Sequence, residues 1–204
     1  TRNDNPATAC RPFCATRDGL ILGEGATMFV LETMEHAEAR GARILAEITG
    51  LGLSSDAYNL AAPEPTGIGA AKAMKYALRE AGVQGSDVDY IAAHGTATKL
   101  NDSSETAATK LALGESAYDT RVSSLKSMVG HMMGAAGTIS AAAIVGAIQD
   151  GVVPPTINYV EPDPECDLNY VPNRAEQRLV DVGICNAFGF GGQNASMVIE
   201  RYTP

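Results

Sequence analysis

Ser123-Ser124-Leu125-Lys126-Ser127-Met128-Val129-Gly130-His131 leads into a run from Met132 to Ile148 that carries no charge. This pattern predicts a helix over residues 131–149 that is apolar on every side. Such a helix must be buried all round, so it should cross the middle of a globular domain. His131 would then stand at its N-terminal end, facing a protected site, with Lys126 and the serines beside it. The run is shorter than the roughly 20 residues a bilayer span needs, and it holds Gly134, Gly137, Thr138, Ser140 and Gly146. It therefore reads as a close-packed core helix and not as a membrane helix.

The flanking segments supply the rest of an α/β domain. Ala26 to Leu31 has the length and apolarity of a buried strand, and a charged helix is expected over Met34 to Arg40, stopped by Gly41. Ile44 to Gly52 reads as a second strand and Leu53 to Ala57 as a polar loop. Gly67 to Ala81 repeats apolar positions at helical spacing, with Gly82 as its C-cap. Tyr90 to Ala93 reads as a short strand ending at His94. Asn101 or Asp102 is a cap for a helix running to Leu113, and Val122 lies in another short strand.

Prolines and acids make residues 158–178 a surface loop, and residues 1–19 are irregular. The chain closes with strands over Leu179 to Ala187 and Ala195 to Arg201, joined by a turn over Phe188-Gly189-Phe190-Gly191-Gly192. Strand and helix alternate with no linker or repeat, so one domain with a mixed or parallel sheet is expected over residues 1–204.

The 204 residues suffice to bury a core, and a 45% hydrophobic fraction with 19% charged residues excludes a disordered or fibrous chain. The net charge of -9, with no stripe of Lys and Arg, argues against nucleic acid as a partner. Cys10, Cys14, Cys166 and Cys185 form no CxxC pair, so neither a metal site nor a disulfide scaffold is expected. A reduced, cytoplasmic compartment is the default, and no cofactor is implied. The opening Thr1-Arg2-Asn3-Asp4-Asn5-Pro6 has no initiator Met and no signal-like segment, which suggests a piece of a longer protein.

Three polar sites fall at element ends: His94, the Lys126/His131 pair, and the glycine turn. In an open α/β sheet ligands bind outside the carboxyl ends of strands, which makes His94 a site residue and puts two histidines in one cleft. His94-Gly95-Thr96-Ala97-Thr98, Lys126 to Gly137, and Asn186-Ala187-Phe188-Gly189-Phe190-Gly191-Gly192-Gln193-Asn194 resemble three ordered motifs of the β-ketoacyl-acyl carrier protein synthases. Arg11-Pro12-Phe13, Arg17-Asp18-Gly19, Gly23-Glu24-Gly25-Ala26 and Pro154-Pro155-Thr156-Ile157-Asn158 extend the likeness from near Thr1 to Arg201.

The resemblance implies the C-terminal half of a thiolase-like fold, a five-stranded mixed sheet with a buried central helix. It also implies a decarboxylating Claisen condensation. A cysteine thiolate takes an acyl chain from acyl carrier protein, and malonyl carrier protein then loses CO2 and attacks it. His94 and His131 would be the catalytic donors to the malonyl thioester oxygen, His131 kept neutral by the helix N-terminus. Lys126 would orient His94 or pair with Glu105; Thr96 and Thr98 would support the loop, and Phe190 with Phe188 would gate the acyl pocket.

The family's nucleophilic cysteine belongs to the half that would precede Thr1. Cys10 imitates its local sequence, but Pro12 forbids the elbow helix that activates such a thiol. The expected partners are therefore an N-terminal half and acyl carrier protein, with the complete enzyme a homodimer. Carrier protein is acidic, so on this negatively charged half only Arg17 or Lys99 would contribute to docking. Alternatively the chain is a non-catalytic acyl-binding or scaffolding segment. A thiolase proper is disfavoured, because no cysteine lies between Asn186 and Pro204.

Overall fold

The computed structural model describes residue 2 and residues 4–204. Its elements are α1 Met34–Ala39, β1 Glu47–Ser55, α2 Ile68–Ala81, β2 Tyr90–Ala92, α3 Lys99–Leu113 and β3 Arg121–Ser123, followed by α4 Lys126–Val129 and α5 Ala136–Asp150. The remaining strands are β4 Val152–Val153, β5 Glu176–Gln177, β6 Val182–Gly189 and β7 Gln193–Glu200. Five strands make one sheet in the order β1-β7-β6-β2-β3, antiparallel from β1 to β6 and parallel from β6 to β3. The mixed five-stranded sheet of the expectation is present.

The strands alternate their side chains between two cores, as a period of two requires. Ile91, Ile184 and Val198 face Met74, Ala77 and Leu78 of α2 and Leu113 of α3. Tyr90, Ala92, Cys185 and Ile199 face Ala141, Ile144, Ala147 and Ile148 of α5. β2, paired on one side with β3 and on the other with β6, is buried throughout, as is β6 from Val182 to Asn186, which explains the apolar run Tyr90-Ile91-Ala92.

Several expectations are corrected. The central helix does not begin at His131: Gly130 takes a positive φ with extended ψ, and Met133–Ala135 makes a 3-10 turn before α5 opens at Ala136. Glycine is the residue that tolerates that conformation, and it separates α4 from the later helix. Nor is α5 buried all round. Ser140, Ala141, Ile144, Ala147 and Ile148 are buried, while Ile139, Ala142, Ala143 and Val145 remain half-exposed on the opposite side. Apolarity all round thus reports a second face still open in this chain.

Ala26 to Leu31 forms no strand; Met28 is 95% exposed, and the run has no ladder partner. Its apolarity signals a need for burial and not a place in this sheet. β1 starts at Glu47 and continues through Leu53 to Ser55, residues expected in a loop, because they pair with Ala195 to Gln193 of β7. Backbone pairing decides there, whatever the side chains. β6 likewise runs through Phe188 and Gly189, which confines the turn to Phe190, Gly191 and Gly192.

Thr98 caps α3, its hydroxyl accepting from the Asn101 N–H at 3.3 Å, so Asn101 and Asp102 lie inside the first turn and are buried. The segment 158–178 is irregular as expected, with β5 near its end. However, Cys166, Leu168 and Tyr170 alternate inward into the core, so Cys166 is buried and not in an exposed loop. Gly82 caps α2 in the left-handed conformation, as its spacing predicts. Of the irregular stretch expected over residues 1–19, residues 1 and 3 lie outside the described residues; the rest contains one 3-10 turn, Pro6–Thr8. No helix among the described residues is long and apolar enough to cross a membrane.

Candidate active site

A cavity of about 940 Å3 opens at the carboxyl ends of the parallel strands, and His94, Thr96, Thr98, His131, Phe188 and Phe190 are among its lining residues. The two histidine rings stand 5.5 Å apart between centroids, nearly perpendicular. Phe188 packs beside His94 at 5.7 Å. The structure therefore gathers all three motifs on one cavity.

His94 and Gly95 leave β2 in a turn whose four backbone polar groups are all bonded by side chains. Glu105 of α3 receives the His94 N–H on one carboxylate oxygen at 2.8 Å and the Gly95 N–H on the other at 2.7 Å. Lys126 Nζ donates to the His94 carbonyl, and Ser124 Oγ donates to the Gly95 carbonyl at 2.6 Å. Gly95 is required twice over: its φ is +37°, and a Cβ there would lie 2.6 Å from that of Ser124. Lys126 and Glu105 act on the same peptide from its two sides, and no direct ion pair joins them among the described residues.

The electrostatics keep both imidazoles neutral. Burial, reinforced by the Lys126 charge and by His131, holds His94 well below the usual histidine range. Burial and then Lys126 lower His131 in the same direction. His131 is not at a helix N-terminus, so the expected dipole is not the cause; a nearby cation and desolvation do the same work. Its Nδ1 accepts the Met133 N–H at 3.0 Å, which in the neutral ring leaves the proton on Nε2 as a donor. Burial pushes Lys126 down and Glu105 up; Glu105 opposes the first shift, and the backbone N–H groups of Gly95 and His94 oppose the second.

The remaining residues divide clearly. Thr96 and Thr98 share a hydroxyl hydrogen bond of 2.9 Å at the cavity wall. Phe190 lies on the turn and is 71% exposed. Arg17, a candidate for docking, is only 2% exposed: it bonds the carbonyls of Cys14, Thr98 and Lys99 and pairs with Asp163, so it is structural. Lys99 is exposed at the cavity mouth. Cys10 is buried and pushed up to about 11, mainly by desolvation, which leaves it a thiol. Cys185 is buried in the second core and pushed up to about 12 by the same cause.

Ser124, Asp102, Asn101 and Asn186 are the site residues whose contacts sequence reasoning missed. Asp102 accepts the Phe13 N–H at 2.7 Å beside Arg17, and burial pushes it up to about 6. The signal was present on α3, where Asn101, Asp102, Glu105, Thr106 and Thr109 form a polar stripe at helical spacing. Read as caps, the first two lost that meaning.

The sheet order, the helices on both faces and the motif-lined cavity define a thiolase-like α/β domain of the ketosynthase type. The profile of the β-ketoacyl synthase C-terminal domain matches residues 45–160. The chain is 50% identical over 201 residues to 3-oxoacyl-(acyl-carrier-protein) synthase 2 of Synechocystis sp., covering 98% of this chain and 48% of that protein. It is 48% identical over 200 residues to the Staphylococcus aureus protein of that name, with the same coverage of each. A β-ketoacyl synthase from Burkholderia phymatum superposes with a TM-score of 0.94 at 41% identity, over 100% of this chain and 49% of that one. A ketosynthase solved with its type II polyketide acyl-carrier protein gives a TM-score of 0.97 at 38% identity, over 100% and 50%. The chain belongs to the β-ketoacyl synthases, as their C-terminal domain, and spans about half the length of the curated relatives it matches.

Proposed function

We propose that this chain supplies the His94, His131 and Lys126 part of a β-ketoacyl-acyl carrier protein synthase site, completed by a preceding half that carries the nucleophilic cysteine. In that reaction the cysteine thiolate holds the acyl chain as a thioester, and malonyl carrier protein enters the cavity. Nε2–H of His131 and a ring N–H of His94 donate to the malonyl thioester oxygen. The malonyl carboxylate leaves as CO2, and its bonding electrons form an enolate held by the two donors. The enolate carbon then attacks the acyl thioester, forming the carbon–carbon bond and releasing the thiolate. Lys126 acts on the His94 carbonyl, fixing the ring and keeping it uncharged.

The observation that carries this reading is the pair of uncharged imidazoles with centroids 5.5 Å apart at one cavity. Donors preset toward a developing oxyanion are each worth about 10²–10³ in rate. The test is malonyl decarboxylation by the synthase assembled from this chain and its preceding half. His94→Ala is expected to lower the rate by about 10²–10³, and an unchanged rate overturns the role. Carrier docking falls mainly to the other half, with Lys99 as the exposed cation at this cavity's mouth.

A further inference from the structure

Glu105 reaches His94 only through the backbone, so whatever fixes this carboxylate fixes the catalyst. Besides the two backbone N–H groups, Glu105 receives Asn186 Nδ2 at 3.2 Å on the oxygen that holds the His94 N–H, and Asn101 Nδ2 at 3.5 Å on the other. Asn186 is 1% exposed on β6. Its amide has one orientation available. Ser196, its register partner on β7, donates to Oδ1 at 2.8 Å, which turns Nδ2 to Glu105. The other neighbour of that nitrogen is Met74 Sδ at 3.9 Å, a poor acceptor.

We infer that Asn186, oriented by Ser196, is a positioning residue for His94 and acts through Glu105. An ionised Glu105 accepts both N–H groups of the turn. A protonated one would aim its own O–H into a cluster of donors and release one of those N–H groups, letting the His94 peptide rotate. A neutral amide donor stabilises the ionised form without adding charge near the imidazoles. The titratable groups around Glu105 are Asp102 on α3, Lys126 on α4, Cys185 on β6 and His94 after β2. Lys126 is the cation among them, so removing the Asn186 donor shifts more of the burden of Glu105 onto a charge that also bonds the His94 carbonyl. Sequence reading placed Asn186 at the start of a motif but gave it no role.

The inference rests on His94 acting on substrate, and the experiment separates the two. Malonyl decarboxylation is measured on the assembled synthase for His94→Ala, Asn186→Leu and Asn186→Asp, with thermal melting in parallel. Asn186→Leu removes the donor at similar volume and is expected to lower kcat on the order of 10²-fold with KM little changed, since substrate contacts remain. Asn186→Asp creates a carboxyl pair that shares one proton, whose O–H replaces the amide donor. Its kcat is therefore expected close to wild type at low pH. It should fall as the pair loses that proton, more steeply than the wild type, which has no such pair. Wild-type kcat in a folded Asn186→Leu, or an Asn186→Asp profile parallel to wild type or lowered equally at every pH, overturns the inference. If Asn186→Leu does not fold, the Asn186→Asp profile decides. An unchanged rate in His94→Ala instead overturns the function proposed for the site.

Discussion

Two turns, one at His94 and one at Phe190, border the cavity and are built on opposite principles. At His94-Gly95 every backbone polar group is held by a buried side chain, and the histidine is 8% exposed. At Phe190-Gly191-Gly192 two glycines take positive φ, and a Cβ on Gly191 would meet nothing nearer than 3.9 Å. That turn is tied mainly by backbone bonds, Gly191 N–H to the Leu60 carbonyl at 2.7 Å and Asp56 N–H to the Gly192 carbonyl at 2.8 Å. The first turn is over-determined, which suits the donor role proposed for His94. The second is loose at Phe190 and Gly191, both exposed, and close-packed at Gly192, where a Cβ would lie 2.8 Å from that of Asp56. Its loose part is where the proposed acyl gate would move.

The largest expected effect on stability is on the fixed turn. Glu105→Ala leaves Lys126 buried without its compensating charge and two buried N–H groups unpaired, so a loss of about 3–5 kcal/mol is expected in urea unfolding. Ser124→Ala leaves the Gly95 carbonyl without its buried donor and is expected to cost about 1–3 kcal/mol. If either change proves neutral, the turn is not clasped as described and the contrast with the glycine turn fails.

The pH dependence is subtler and has a definite sign. His94 and His131 have folded pKa values below the ordinary 6.5, so below that pH the unfolded chain binds protons that the folded chain refuses. Stability is complete above 6.5 and declines as pH falls, by up to about 1.4 kcal/mol per pH unit for each group. Asp102 works in reverse: raised from 3.8 to about 6, it takes up a proton in the folded state first and adds stability as pH falls below about 6. Glu105, also raised by burial, acts in the same sense as Asp102, so the histidine contribution is read between pH 6.5 and 6 as the difference between wild type and a His94 variant. Melting across that window is expected to show a decline that flattens in His94→Gln; an identical slope would mean that folding does not lower the His94 pKa.

Much of this arrangement was legible in the sequence, and the failures have physical reasons. Strand-end placement of His94 and the Lys126/His131 spacing brought the catalytic candidates to one cavity, because parallel strands align their carboxyl ends. Gly82 marked its helix end because a left-handed cap favours glycine. The start of α5 was misread because apolar content continues through Gly130, while the break depends on one backbone dihedral. Ala26 to Leu31 shows a need for burial but not which surface meets it. The clasp itself left no periodic trace. Ser124 and Asn186 make their contacts with partners 29 and 81 residues away. Arg17 looked like a surface cation because charge is visible in sequence and burial is not.

The smallest expected effect on stability sharpens the contrast most. Phe190 is 71% exposed, so Phe190→Ala removes little packing and opens no internal cavity; its stability is expected to change by no more than about 0.5 kcal/mol. Phe188, one strand position before Gly189, packs beside His94 and against the buried cluster of Ala70, Ala71 and Ala108, so Phe188→Ala is expected to cost clearly more. Equal losses would mean that the glycine turn is as firmly packed as the His94 turn, leaving no reason for Phe190 to move. Unequal losses, with Phe190→Ala also changing which acyl lengths the assembled synthase accepts, would locate mobility at the turn and rigidity at its neighbour. Gly191→Ala then asks the complementary question. At φ +84° an alanine is strained by about 1 kcal/mol or more even though space is open, so its effect reads the backbone's freedom and not the ring's contacts.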